Sequence, residues 1–235
     1  MTAVARGPDE LADHAGLAYA RFRPEGEPLG GLLVLHGAGS RKENHFDFAE
    51  AARAAGFEAI AFDARGHGET GGRLDARAID DVVTVAGLLP RPLALRGSSM
   101  GGYFALVAAK RAGASAIVAI CPASAAGLAA GLRSPQRAFA ADVAALEDLF
   151  RRNDEIETAR ALAAPLLIQH AEGDEVVPVA HSHTLLEAAA SAVKRLVVVP
   201  GGHHRSVQHD AALQAQAVAF ARDAVARAAR PTGPA

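Results

Sequence analysis

Tryptophan is absent from these 235 residues, cysteine occurs once, and tyrosine and methionine occur twice each. The single thiol, Cys121, excludes an intramolecular disulfide and any cysteine-based metal cluster, and it fits a reducing compartment. Beside Ile120 it reads as a small buried apolar residue. An excess of one charge is missing too: 24 basic against 26 acidic side chains leave a net charge of -2. With no local run of Lys or Arg, that balance excludes a nucleic-acid footprint and points to a small, uncharged partner. Long apolar runs are also lacking. Ala114–Ile120 and Leu196–Val199 fall far short of the roughly 20 residues of a membrane helix, so no stable membrane insertion is expected. An export signal would need an apolar stretch near the start, where Arg6, Asp9, Glu10 and Asp13 stand instead, so a cytoplasmic location is expected.

What is there is a chain that is 50% hydrophobic and 21% charged, enough for one substantial core and one domain over 1–235. Short apolar runs recur at Leu32–Leu35, Ala59–Phe62, Leu93–Leu95, Ile117–Ile120, Leu166–Ile168 and Leu196–Val199. Continuous rather than alternating hydrophobicity marks parallel strands covered on both faces. Between them, Ala- and Leu-rich stretches at Phe46–Ala55, Asp75–Leu89, Tyr103–Ala112, His181–Ala190 and Ala211–Ala228 carry charges at helical spacing. The alternation predicts an α/β fold: a doubly wound, mostly parallel sheet with helices on both faces. Residues around Leu17–Phe22 are expected to add antiparallel edge strands. The long connection 122–164 reads either as a small cap or as a crossover helix with a long lead-in. The Pro- and Gly-containing tail 230–235 is expected to fray.

The chemistry concentrates at Gly97-Ser98-Ser99-Met100-Gly101, a G-x-S-x-G pattern directly after the strand Leu93–Leu95 and before a helix expected to begin near Gly102. A strand turning sharply into a helix strains its central residue, leaves no room for flanking side chains, and lifts that residue's hydroxyl clear. The backbone N–H of Met100 then lies at a helix amino terminus, where it can hold a developing oxyanion. Without a catalytic role, the same loop would merely cap a helix. A serine nucleophile needs a histidine base and an orienting carboxylate. Candidates follow the next two strands: Glu172, Asp174 and Glu175 in one loop, then His203 and His204 after Pro200-Gly201-Gly202. Each lies at the carboxyl end of a predicted strand, where open parallel sheets bind ligands.

These residues, with Leu35-His36-Gly37-Ala38-Gly39, Asp63-Ala64-Arg65-Gly66-His67-Gly68-Glu69-Thr70 and Val177-Pro178, resemble the α/β-hydrolase superfamily. The likeness is strongest to small esterases and to monoacylglycerol lipase-like members of the serine aminopeptidase S33 type. The resemblance spans Leu35–His204 and implies that Ala38 donates the second oxyanion N–H beside Met100. It also implies the register in which Asp174 and His204 complete a triad with Ser99, His203 remaining the alternative base. His36 and His67 are expected to be structural.

The expected reaction is hydrolysis of a small carboxylic ester through an acyl-enzyme, without a cofactor or a metal. Thioester, lipid ester or peptide cleavage by the same triad is the neighbouring reading. A non-catalytic binding protein on the same fold is the reading from another class. A metal site among His181, His183, His203, His204 and His209 lacks a supporting spacing. Leu128, Leu132, Phe139 and Leu146 are candidates to line an acyl groove or, equally, to pack the cap.

Overall fold

The computed structural model describes residues 6–229; the tail 230–235, expected to fray, lies outside them. Eight strands form one sheet: β1 (Glu10–His14), β2 (Leu17–Phe22), β3 (Gly30–Leu35), β4 (Phe57–Phe62), β5 (Leu93–Ser98), β6 (Ala114–Ile120), β7 (Leu166–Ala171) and β8 (Lys194–Val199). Their spatial order is 1-2-4-3-5-6-7-8, parallel from β4 to β8, with β1 and β2 antiparallel at one side. The doubly wound α/β architecture is therefore present, with every apolar run inside a strand.

Side chains alternate between the two faces, as the pleat requires. On β3, Leu33 and Leu35 join the core shared with α2 (Ala78–Ala86), α3 (Met100–Ala112) and α7 (Val179–Ala188), whereas Leu32 and Val34 meet α1 (Phe46–Ala54) and α8 (Ala211–Ala228). Phe48 and Ala52 of α1 and Ala217 and Ala221 of α8 are fully buried on that second face. Two expectations shift. The 75–89 helix spans only 78–86, because the Asp75 carboxylate accepts the Arg77 N–H at 2.9 Å in a local turn. β8 buries none of its residues, since it is the last strand and is incompletely covered.

The connection 122–164 holds three helices, α4 (Ala125–Leu132), α5 (Val143–Arg152) and α6 (Glu155–Arg160). Ser124, Asp142 and Asp154 cap them by accepting N–H groups of the first turns. Leu146, Leu149 and Phe150 of α5 are buried in the main core. The buried Tyr103 of α3 donates its hydroxyl to the Asn153 carbonyl at 2.7 Å, tying α3 to the junction between α5 and α6. Among the described residues no helix is long and apolar enough to cross a membrane.

Candidate active site

β5 ends at Ser98 and α3 begins at Met100, two residues earlier than its expected start near Gly102, so Ser99 alone makes the turn. Its backbone stands at φ +52°, ψ -116°, a region that L side chains avoid. Hydrogen bonds hold it there. The Ser99 N–H donates to the Ile120 carbonyl at 2.9 Å, and the Ser99 carbonyl accepts from Tyr103 and Ala123 N–H groups, both at 3.1 Å. Sterics supply the rest: a Cβ on Gly97 would lie 2.0 Å from the Gly101 carbonyl oxygen, and one on Gly101 would lie 2.3 Å from that of Leu35. The N–H of Met100 sits in the first turn of α3, where it has no acceptor within the helix.

Two and three strands along the sheet from β5, the loops after β7 and β8 meet. Asp174 Oδ2 lies 2.7 Å from His204 Nδ1, while Asp174 Oδ1 accepts the N–H groups of Val176 and Val177, each at 2.8 Å. Burial works to raise the Asp174 pKa, but the N–H of Val177, the His204 ring and the N–H of Val176 outweigh it and hold it below the ordinary carboxylate value. The competing carboxylates sit elsewhere. Glu175 accepts the backbone N–H of His204 at 3.0 Å, and Glu172 lies 3.4 Å from the Gly201 N–H. The His203 ring accepts the Arg205 N–H at 3.3 Å and makes no bond to Asp174.

Ser99 and His204 line one cavity of about 380 Å³ together with Ala38, Asn44 and Gln208. No hydrogen bond joins their side chains among the described residues. A second cavity, of about 610 Å³, opens on the other side of Ser99, Ala38 and Met100 and is walled by Leu128, Leu132, Phe139 and Phe150. Leu146 is not on that wall; it is fully buried in the core.

The remaining motif residues hold loops in place. The buried His36 accepts the Ala64 N–H on Nε2 at 3.0 Å and donates from Nδ1 to the Gly37 carbonyl at 2.8 Å, joining the loops after β3 and β4. Burial first, then the neighbouring His67, lowers its pKa to about 4, so the ring is neutral. Asp63 accepts the Lys42 N–H, the Lys42 ammonium and the Glu69 N–H at 2.7, 2.8 and 2.9 Å. That ammonium also fills the space between Glu43, Asp63 and Glu69, whose oxygens otherwise cluster as metal ligands would. Cys121, Asp174 and His204 cluster likewise, with Asp174 Oδ2 and His204 Nδ1 bonded directly to each other at 2.7 Å and burial pushing the Cys121 thiol up to about 12.

One participant had no signal in the sequence. His170, fully buried on β7, places Nε2 2.9 Å from the Val177 carbonyl and 3.2 Å from Asp174 Oδ2, with Nδ1 2.6 Å from the Ser182 hydroxyl. Burial lowers its pKa, so the neutral ring carries its proton on Nε2, between two acceptors.

Residues 32–164 match the model of the alpha/beta hydrolase family, more than half of the chain. The chain belongs to that family. Within this alpha/beta hydrolase, residues 133–210 also match the serine aminopeptidase S33 model. A monoacylglycerol lipase of Mycolicibacterium smegmatis is 28% identical over 241 residues, covering 80% of this hydrolase and 85% of the lipase. Among solved structures, the mouse alpha/beta hydrolase domain-containing protein 10 superposes with a TM-score of 0.76 at 19% identity, covering 94% of this chain and 99% of its own. The Paleococcus ferrophilus monoacylglycerol lipase gives 0.69 at 21%, covering 88% and 98%. The hydrolase is thus similar to monoacylglycerol lipases over most of its length.

Proposed function

We propose that this hydrolase cleaves carboxylic esters with Ser99 as nucleophile, His204 as base and Asp174 as the carboxylate that orients it. The Asp174–His204 contact at 2.7 Å, on a cavity shared with the strained Ser99, carries the reading. Asp174 fixes the proton on His204 Nδ1 and leaves Nε2 free to accept the proton from Ser99 Oγ as that oxygen attacks the carbonyl. The missing Ser99–His204 hydrogen bond fits a base that closes on its nucleophile only around substrate. The N–H groups of Ala38 and Met100 take the oxyanion, each worth on the order of a hundredfold in rate. The alcohol leaves with the proton from His204, and water then releases the acyl group. No cofactor enters. Segment 122–164 acts as the cap, with Leu128, Leu132 and Phe139 supporting the acyl chain, and the likeness to a monoacylglycerol lipase favours a fatty acyl group.

The match to the serine aminopeptidase model raises amide cleavage as a second reading. A substrate amine would need a carboxylate nearby, and neither cavity wall carries one. The test is turnover of p-nitrophenyl esters of increasing acyl length, with an aminoacyl p-nitroanilide alongside. Ester turnover that disappears in Ser99→Ala, together with fluorophosphonate labelling confined to Ser99, is the expected result. Absence of both would leave a non-catalytic binding protein.

A further inference from the structure

Ser99 stands where two cavities meet; the one containing His204 is the more polar, Arg205 borders both, and Arg137 and His181 stand on the wall of the apolar one. Arg205, His209, Asn44 and Gln208 share its wall with His204, and no carboxylate does. Arg205 is exposed and forms no ion pair among the described residues. Ser98, only 3% exposed, borders the same space, and its hydroxyl oxygen is buried without a hydrogen-bond partner.

Directly behind this wall lies a second cation. Arg96 on β5 is fully buried and has no carboxylate partner among the described residues. One N–H donates to His45 Nδ1 at 3.0 Å and another points to the Gln208 carbonyl at 3.4 Å; the guanidinium lies 4.7 Å over the Phe48 ring, and its Nε is unpaired. Burial lowers its pKa only to about 10, so it remains charged at neutral pH. The acid whose field reaches it, Asp47, is engaged by His209 Nδ1 at 2.8 Å and by Gln214 Nε2 at 2.7 Å, and is not part of the cavity wall. Glu175, on the His204 N–H, is on neither wall. A buried charge without an acid is costly to keep, and a cavity with such a charge behind it concentrates positive potential.

We propose that this cavity is an anion subsite for the alcohol half of the substrate, so that the enzyme selects esters joining an apolar acyl chain to an alcohol that bears a carboxylate or phosphate. This rests on the ester-hydrolase reading above. The halves are assigned by chemistry. When the bond between the acyl carbon and the alcohol oxygen breaks, the proton taken from Ser99 passes through His204 to that oxygen, and His204 lines the polar cavity but not the apolar one. The acyl chain, now bonded to Ser99 Oγ, occupies the apolar cavity until water displaces it.

The experiment uses two matched pairs: the octanoyl esters of glycolic acid and glycolamide, and 1-octanoylglycerol 3-phosphate with 1-octanoylglycerol. Calorimetric titration into Ser99→Ala protein should show the anionic member of at least one pair binding about tenfold more tightly. That advantage should shrink as salt is raised and largely vanish when Arg205→Gln is added. It should survive Arg195→Gln, which removes an equal charge at the exposed amino end of β8. The pair that responds tells a carboxylate from a phosphate. Equal affinity within both pairs overturns the subsite. Turnover of the same esters by the unmutated enzyme judges the chemistry separately: selective binding without cleavage would refute ester hydrolysis while leaving the anion site standing.

Discussion

At Ser99 the backbone is held by hydrogen bonds to core backbone and locked by exclusion of space, because Gly97 and Gly101 pack so closely on neighbouring carbonyls that no side chain could replace their hydrogens. At His204 only two contacts act, the backbone N–H donating to Glu175 and the ring Nδ1 to Asp174, on an exposed loop. The first arrangement belongs to the core and forms with it. The second is assembled from two loops, so its groups can be exchanged with little cost to the fold and great cost to the chemistry.

The sharpest test of that contrast is kinetic. His204→Gln should lower kcat for a p-nitrophenyl ester by about 10⁴-fold or more, whereas His203→Gln should change it only severalfold. Asp174→Asn should cost about 10³ to 10⁴, because the amide would favour the wrong tautomer of His204. Melting temperatures should stay within a few degrees in the two histidine variants, since neither ring belongs to the core, whereas Asp174→Asn alters a buried carboxylate and should lower stability more. A steady-state assay with matched thermal melts checks this, and equal losses for the two histidines would break the assignment.

Glycine substitutions come next. Gly97→Ala should cost several kcal/mol and leave little folded protein, since its Cβ would meet backbone at 2.0 Å. Gly201→Ala, at φ +64° with nothing within 4 Å, should cost only the backbone strain, about 1 kcal/mol. Urea unfolding of the two variants compares them directly.

The remaining expected effect is electrostatic and shows only as the pH is lowered. The folded chain keeps His36 neutral down to about pH 4, whereas the unfolded chain protonates it near 6.5. Its contribution is therefore fully present above pH 6.5 and is lost as pH falls toward 4, by on the order of 3 kcal/mol in total. His36→Gln should flatten that part of the stability profile, measured by urea unfolding across the window.

What could be read from the residues follows the same division. The parallel strands were legible because apolar runs such as Leu32–Leu35 face helices on both sides, and the Ser99 turn was legible because only glycine fits beside it. β8 was misjudged as covered, since Leu196–Val199 is apolar whether or not anything packs on it. The grouping of Asp174 with His204 rather than with its neighbours depended on a family register, because Glu172 and Glu175 are the same chemistry one or two residues away. His170 left no trace, as its contacts with Val177, Ser182 and Asp174 depend on how the loop after β7 and the helix α7 fold back over that strand. Net charge is silent in a related way. An overall value of -2 says nothing about a cavity wall that collects Arg205 and His209 and no acid.

The bond from Tyr103 to Asn153 bears on how this scaffold could be diversified. One end of it is rooted in the helix that begins beside Ser99, so extra sequence grafted near Asn153 would transmit its disturbance to the proposed nucleophile. The exposed turn around Arg133, Pro135 and Gln136, between α4 and α5, lies upstream of that strut. Insertions there would reshape the wall of the apolar cavity that Ser134 and Gln136 line while the elbow beneath keeps its geometry, which makes that turn the natural entry point for altering what the cavity accepts.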